Sequence, residues 1–83
     1  MKPEARAKAL RILQNPSLYL PLLFTAYAMD TDEKLADWLA KSLGEEAEMR
    51  IKQLLVEGFL HTREPDLIAY ARRRILEEGK DAE

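Results

Sequence analysis

Leu35–Leu60, LADWLAKSLGEEAEMRIKQLLVEGFL, is the stretch that decides the fold. Leu35, Ala36, Leu39 and Leu43 fall at i, i+1, i+4 and i+8, one face of a helix, with Asp37 and Lys41 pointing away and Trp38 on the flank. A second helical stripe follows in Ala47, Ile51, Leu54, Leu55 and Gly58. Gly58 is suited to the left-handed conformation that ends a helix. Between the stripes two hinges are possible. Ser42 with Glu45 fits a capping box, or Gly44 ends the first helix and Glu45 and Glu46 open the second at its positive end. Either hinge is tight, so the two patterns describe a helix-turn-helix corner or a helical hairpin. Leu39, Ile51, Leu54 and Leu55 are the expected centre of the core.

These residues resemble the winged helix-turn-helix regulators. Leu35-Ala36-x-x-Leu39, then Ser42, then Ile51-x-x-Leu54-x-x-x-Gly58-Phe59-Leu60 follows that family's pattern of a leading helix, a capped turn and a recognition helix. The interval from Ser42 to Ile51 is one residue longer than the family's. Glu45, Glu46 and Glu48 stand where it usually places Ser, Thr, Gln or Arg, and no clear two-stranded wing follows. The resemblance implies a small, dimeric, double-stranded DNA-binding regulator, paired through its first and last helices. Arg50, Lys52 and Gln53 on the second helix, with Arg63 after it, would then meet the duplex. The alternative is a non-catalytic protein-interaction module on the same scaffold, presenting an acidic rim with Trp38, Met49 and Val56 to a partner. Met49 and Val56 lie opposite the apolar stripe and so need a cover from elsewhere.

The rest of the chain sets the bounds. Eighty-three residues support one modest core, and the formal charge of −2 exerts no global pull on nucleic acid. Cysteine is absent, which removes disulfides and thiolate metal sites and makes a reducing, cytoplasmic setting the default. No secretory leader pattern is visible at the N-terminus. Pro3 and Glu4 start a helix with Ala5, Ala9, Ile12 and Leu13 inward and Lys2, Arg6, Lys8 and Arg11 outward, ended by Asn15-Pro16. Leu18–Met29, LYLPLLFTAYAM, is too short to span a bilayer. Pro21 should open a short helix there, apolar nearly all round, that is central to the core or faces a second subunit. Asp30-Thr31-Asp32 makes a turn in which Thr31 or Asp32 caps the next helix.

Thr62-x-x-Pro65 begins the last helix, with Leu67, Ile68, Ala71, Ile75 and Leu76 inward and Gly79 as its stop. Arg72, Arg73 and Arg74 cannot share one direction, since successive helical residues are 100° apart. Arg73–Glu77 and Arg74–Glu78 are the available i, i+4 pairs. A rival reading folds Phe59–Arg63 and Leu67–Tyr70 into a small hairpin wing around Glu64-Pro65-Asp66.

The acidic residues of the middle segment lack the calcium-loop pattern, so no metal is expected. His61 has no acid or nucleophile at a catalytic spacing, and neither catalytic residues nor a cofactor are expected. The expectation is an all-α single domain over residues 1–79, of four or five helices around the corner and with at most a vestigial wing. Residues 80–83 are expected to be a disordered tail.

Overall fold

Among the described residues five α-helices account for the architecture: α1 Pro3–Leu13, α2 Pro16–Tyr27, α3 Asp32–Ala40, α4 Glu46–Val56 and α5 Leu67–Asp81, with a π-helical turn at Glu57–His61. The computed structural model describes residues 2–29, 31–41 and 45–81, and for 79–81 the backbone only. The expected all-α class holds, and no strand occurs among the described residues, so the hairpin wing is not formed there. The radius of gyration is 12.1 Å, against about 12 Å for a folded chain of this length.

Local chemistry starts most of these helices. Pro3 occupies the first turn of α1, where its missing N–H costs nothing, and Glu4 sits at the positive end. Asn15 caps α2, its Oδ1 accepting from the Ser17 N–H at 3.1 Å, with Pro16 at the first helical position. That pair moves the helix start five residues ahead of Pro21. Pro21 therefore lies inside α2 rather than opening it, and it removes one backbone donor from the helix. Thr31 caps α3, Oγ1 accepting from the Lys34 N–H at 3.2 Å. α5 begins at Leu67 rather than within Thr62–Pro65, and Asp66 caps it by accepting from the Ala69 N–H at 3.0 Å.

The corner departs from expectation. Glu45 stands at the N-cap of α4 and makes no side-chain cap hydrogen bond, while Ser42, Leu43 and Gly44 lie outside the described residues. Gly58 does not stop α4; the chain stays helical through a wider turn, in which Thr62 N–H bonds the Glu57 carbonyl at 3.0 Å. Gly58 is required by proximity instead, because a Cβ there would lie 2.9 Å from both Leu67 Cδ2 and Tyr70 Cδ1. The left-handed residue that turns the chain is Arg63, at φ 51°. Gly79 does not end α5 either, since its backbone continues helically to Asp81.

α4 is the centre. It packs most heavily on α1 and α5, then on α2, and least on α3. Ile51, Leu54 and Leu55 are fully buried, joined by Leu13 of α1 and Ile75 of α5. Leu39 is only half-buried and Ala36 is exposed; Trp38 is the buried residue of α3. Leu76 is exposed and Tyr70 takes its place against the core. No helix among the described residues is long and apolar enough to cross a membrane.

Candidate functional site

Because α4 is wrapped on several sides, the residues expected to face a ligand are mostly engaged within the chain. Lys52 is 4% exposed. Its Nζ donates to the Trp38 carbonyl at 3.3 Å, lies 3.4 Å from Glu48 Oε1 and sits 4.9 Å from the Trp38 ring centroid. One cation thereby satisfies a carbonyl, a carboxylate and an aromatic face, and fastens α3 to α4. It is not presented to a phosphate. Arg50 forks onto Glu78 of α5, Nε donating at 2.8 Å and a terminal nitrogen closing a second bond to the same oxygen. It also donates to Gln53 Oε1 at 3.2 Å, so Gln53, though exposed, is tied to Arg50. Arg63 is exposed.

The acidic start of α4 is engaged too, by the basic side of α1. Lys8 Nζ meets Glu45 Oε2 at 2.6 Å, and the Lys2 backbone N–H donates to Glu46 Oε1 at 3.3 Å. Both contacts are exposed, so they orient more than they stabilise.

The alternative contact residues are redistributed as well. Trp38 and Val56 are buried, and Met49 is half-buried beside Glu46, Arg50, Gln53 and Glu78. Val56 is covered because α3 lies along that side of α4, where Leu35 and Leu39 border a groove with Gln53, Glu57 and His61. Helix period alone placed Val56 opposite the stripe; it could not say that the opposite side was also covered.

The three arginines of α5 do point three ways. Arg72 donates to the Leu13 carbonyl at 2.8 Å, closing the end of α1, and Arg73 lies 3.7 Å from Glu64. Arg74 donates to Glu57 Oε1 at 2.7 Å and to Tyr70 Oη at 2.6 Å, while Tyr70 Oη–H donates to the same Glu57 oxygen at 2.8 Å. The anticipated Arg73–Glu77 and Arg74–Glu78 pairs give way to these longer-range partners. The Arg74 hydrogen bond, then the Tyr70 hydrogen bond, holds the Glu57 carboxyl below its ordinary range. These groups are linked across the π-helical turn into a clasp between that turn and α5.

What remains open is α2. Leu20, Phe24 and Tyr27 fall at i, i+4 and i+7, a single stripe, and all three are exposed, Phe24 most at 64%. Tyr27 packs edge-to-face on Phe59 with centroids 5.1 Å apart, which carries the apolar surface past the helix end to exposed Leu60. Tyr27, Phe59, Leu60, Arg63 and Glu64 line a shallow groove there. The charge-free, all-round apolar character of α2 is the signal by which a sequence reading could have ranked this stripe above Met49 and Val56. Among the described residues no group of His, Asp and Glu is placed to hold a metal ion.

No protein family matches the chain, and neither a curated protein nor a solved structure matches it. The winged-helix resemblance rests on its own residues.

Proposed function

We propose that this chain is a protein-interaction module whose contact surface is the outward stripe of α2. The observation that carries the reading is the exposure of Phe24 between Leu20 and Tyr27 on a helix whose opposite side meets the core through Ala26. Leaving three large apolar groups in water on one stripe is unfavourable, and a contact that covers them recovers that free energy.

Engagement of DNA through α4 is less well supported. A recognition helix enters the major groove through its N-terminal turns. Here those turns carry Glu45, Glu46 and Glu48, held against α1 and Lys52, and the two nearest cations are committed to Glu78 and to Trp38.

The test is a photo-cross-linking amino acid at position 24, activated in cells that express the chain. A protein adduct at position 24, absent when the probe is moved to exposed Glu33 on α3, is the expected result. No adduct at 24 would sink the reading. So would tight duplex binding whose affinity falls steeply with salt, the signature of phosphate contacts.

A further inference from the structure

We propose that the occupant of the α2 stripe is a second copy of this chain, packed about a two-fold axis near Phe24; this rests on the interaction reading above. In a two-fold contact the same patch faces itself, so a charge at or beside the axis meets its own like. The chain as a whole is 34% charged, yet the twelve residues of α2, PSLYLPLLFTAY, contain no Asp, Glu, Lys or Arg. The absence of charge is confined to the helix that is left uncovered.

The rim carries the same message. Beside Tyr27 stand Arg63 and Glu64, adjacent and of opposite sign, with Glu64 also close to Arg73. That edge offers no net field to select a strongly acidic or basic partner.

Geometry supplies the register. Leu20 to Tyr27 is seven residues, about 10 Å of helix. Phe24 lies four residues after Leu20 and three before Tyr27, near the midpoint. Two such helices running antiparallel set Phe24 against the partner's Phe24. Leu20 of each then reaches the groove formed by Tyr27, Phe59 and Leu60 of the other. Knob and groove are both on one chain, and the two-fold uses each of them twice.

Sedimentation of the full chain from about 1 to 200 µM, the range in which modest interfaces dissociate, tests this. Wild type should shift from one to two chain masses across that range. Phe24→Glu and Phe24→Lys should each stay at one mass, with association weakened at least ~10-fold, as for loss of a central aromatic anchor. Helical circular dichroism should persist, because Phe24 is exposed. Mixing the two variants should restore a two-chain species, since the residues at the axis would then be of opposite charge. Leu60→Glu, in the groove, should also be monomeric and carries the test if position 24 does not tolerate charge.

Wild type at one mass throughout overturns the proposal, as do charged variants that dimerise like wild type, or a mixture of the two that stays monomeric. A monomeric wild type whose position-24 cross-link leads to a different protein removes the second copy and leaves the interaction reading in place. A missing cross-link removes both.

Discussion

α4 and α2 are helices of nearly equal length, eleven and twelve residues, and the more polar of the two is the one that is buried. α4 holds Glu46, Glu48, Arg50, Lys52 and Gln53 among its apolar residues, yet it is the centre about which the other helices pack. α2 has no charge, yet its fully buried residue is Ala26. The difference teaches that hydrophobicity did not choose the central helix; the order of partners did. α4 can be covered on many sides because its charged groups find answers on its neighbours: Glu78 for Arg50, the Trp38 carbonyl and ring for Lys52, Lys8 for Glu45 at its start. α2 lies at the margin, on α1 and α4 and more lightly on α5, with half its circumference unmatched.

The largest effect that would break this comparison is in α4. Leu54→Ala or Ile51→Ala should cost about 2–5 kcal/mol, enough to unfold a domain this small, as followed by chemical denaturation. A loss below 1 kcal/mol at both would mean that α4 is not the centre.

Gly58→Ala comes next. The added methyl must push Leu67 and Tyr70, both buried, so a loss of about 1–3 kcal/mol is expected for overpacking. Were Gly58 needed only for a left-handed turn, truncating Tyr70 would not relieve the loss; here Gly58→Ala with Tyr70→Ala should cost less than the sum of the two changes.

Lys52 separates fastening from charge. Lys52→Met keeps an unbranched apolar chain in the buried place beside Trp38 and should change stability by no more than about 1 kcal/mol, whereas Lys52→Ala should cost about 1–3 kcal/mol by opening the seam between α3 and α4. Tryptophan fluorescence reports the seam directly, and an unchanged spectrum in Lys52→Ala would count against the fastening.

A smaller effect is pH-dependent. Glu57 has a lowered folded-state pKa, caused first by the Arg74 hydrogen bond and then by that of Tyr70. Its contribution is present above the unfolded value of 4.5 and is lost as pH falls through the lowered folded value. Glu57→Gln should flatten the acid limb of the stability curve in that window while leaving the rest of the curve parallel. An identical acid limb in the variant would exclude the clasp as its source.

The smallest effect belongs to α2. Phe24→Ser, measured dilute enough that the chain is monomeric, should alter stability by about 0.5 kcal/mol or less, as for an exposed position. A loss of several kcal/mol would show that the stripe is part of the fold and not a contact surface.

What the sequence determined by itself is what local chemistry determines. Helix class, the inward face of α1, Leu67, Ile68, Ala71 and Ile75 on that of α5, the start of α3 at Thr31 or Asp32 and the burial of Ile51, Leu54 and Leu55 follow from period and capping, which depend on neighbours a few residues away. The divergence of Arg72, Arg73 and Arg74 was legible for the same reason, although their acceptors were not. The tertiary structure alone decided which polar groups are spent. Arg50 and Lys52 read as free cations in sequence because Glu78 is 28 positions from one and the Trp38 carbonyl 14 from the other. It alone decided that Gly58 serves close approach, since Leu67 and Tyr70 arrive from another helix. And it alone decided that Trp38 and Val56 are covered while Phe24 is not. Periodicity tells which residues share a face; which faces meet is set by how five helices share one small volume.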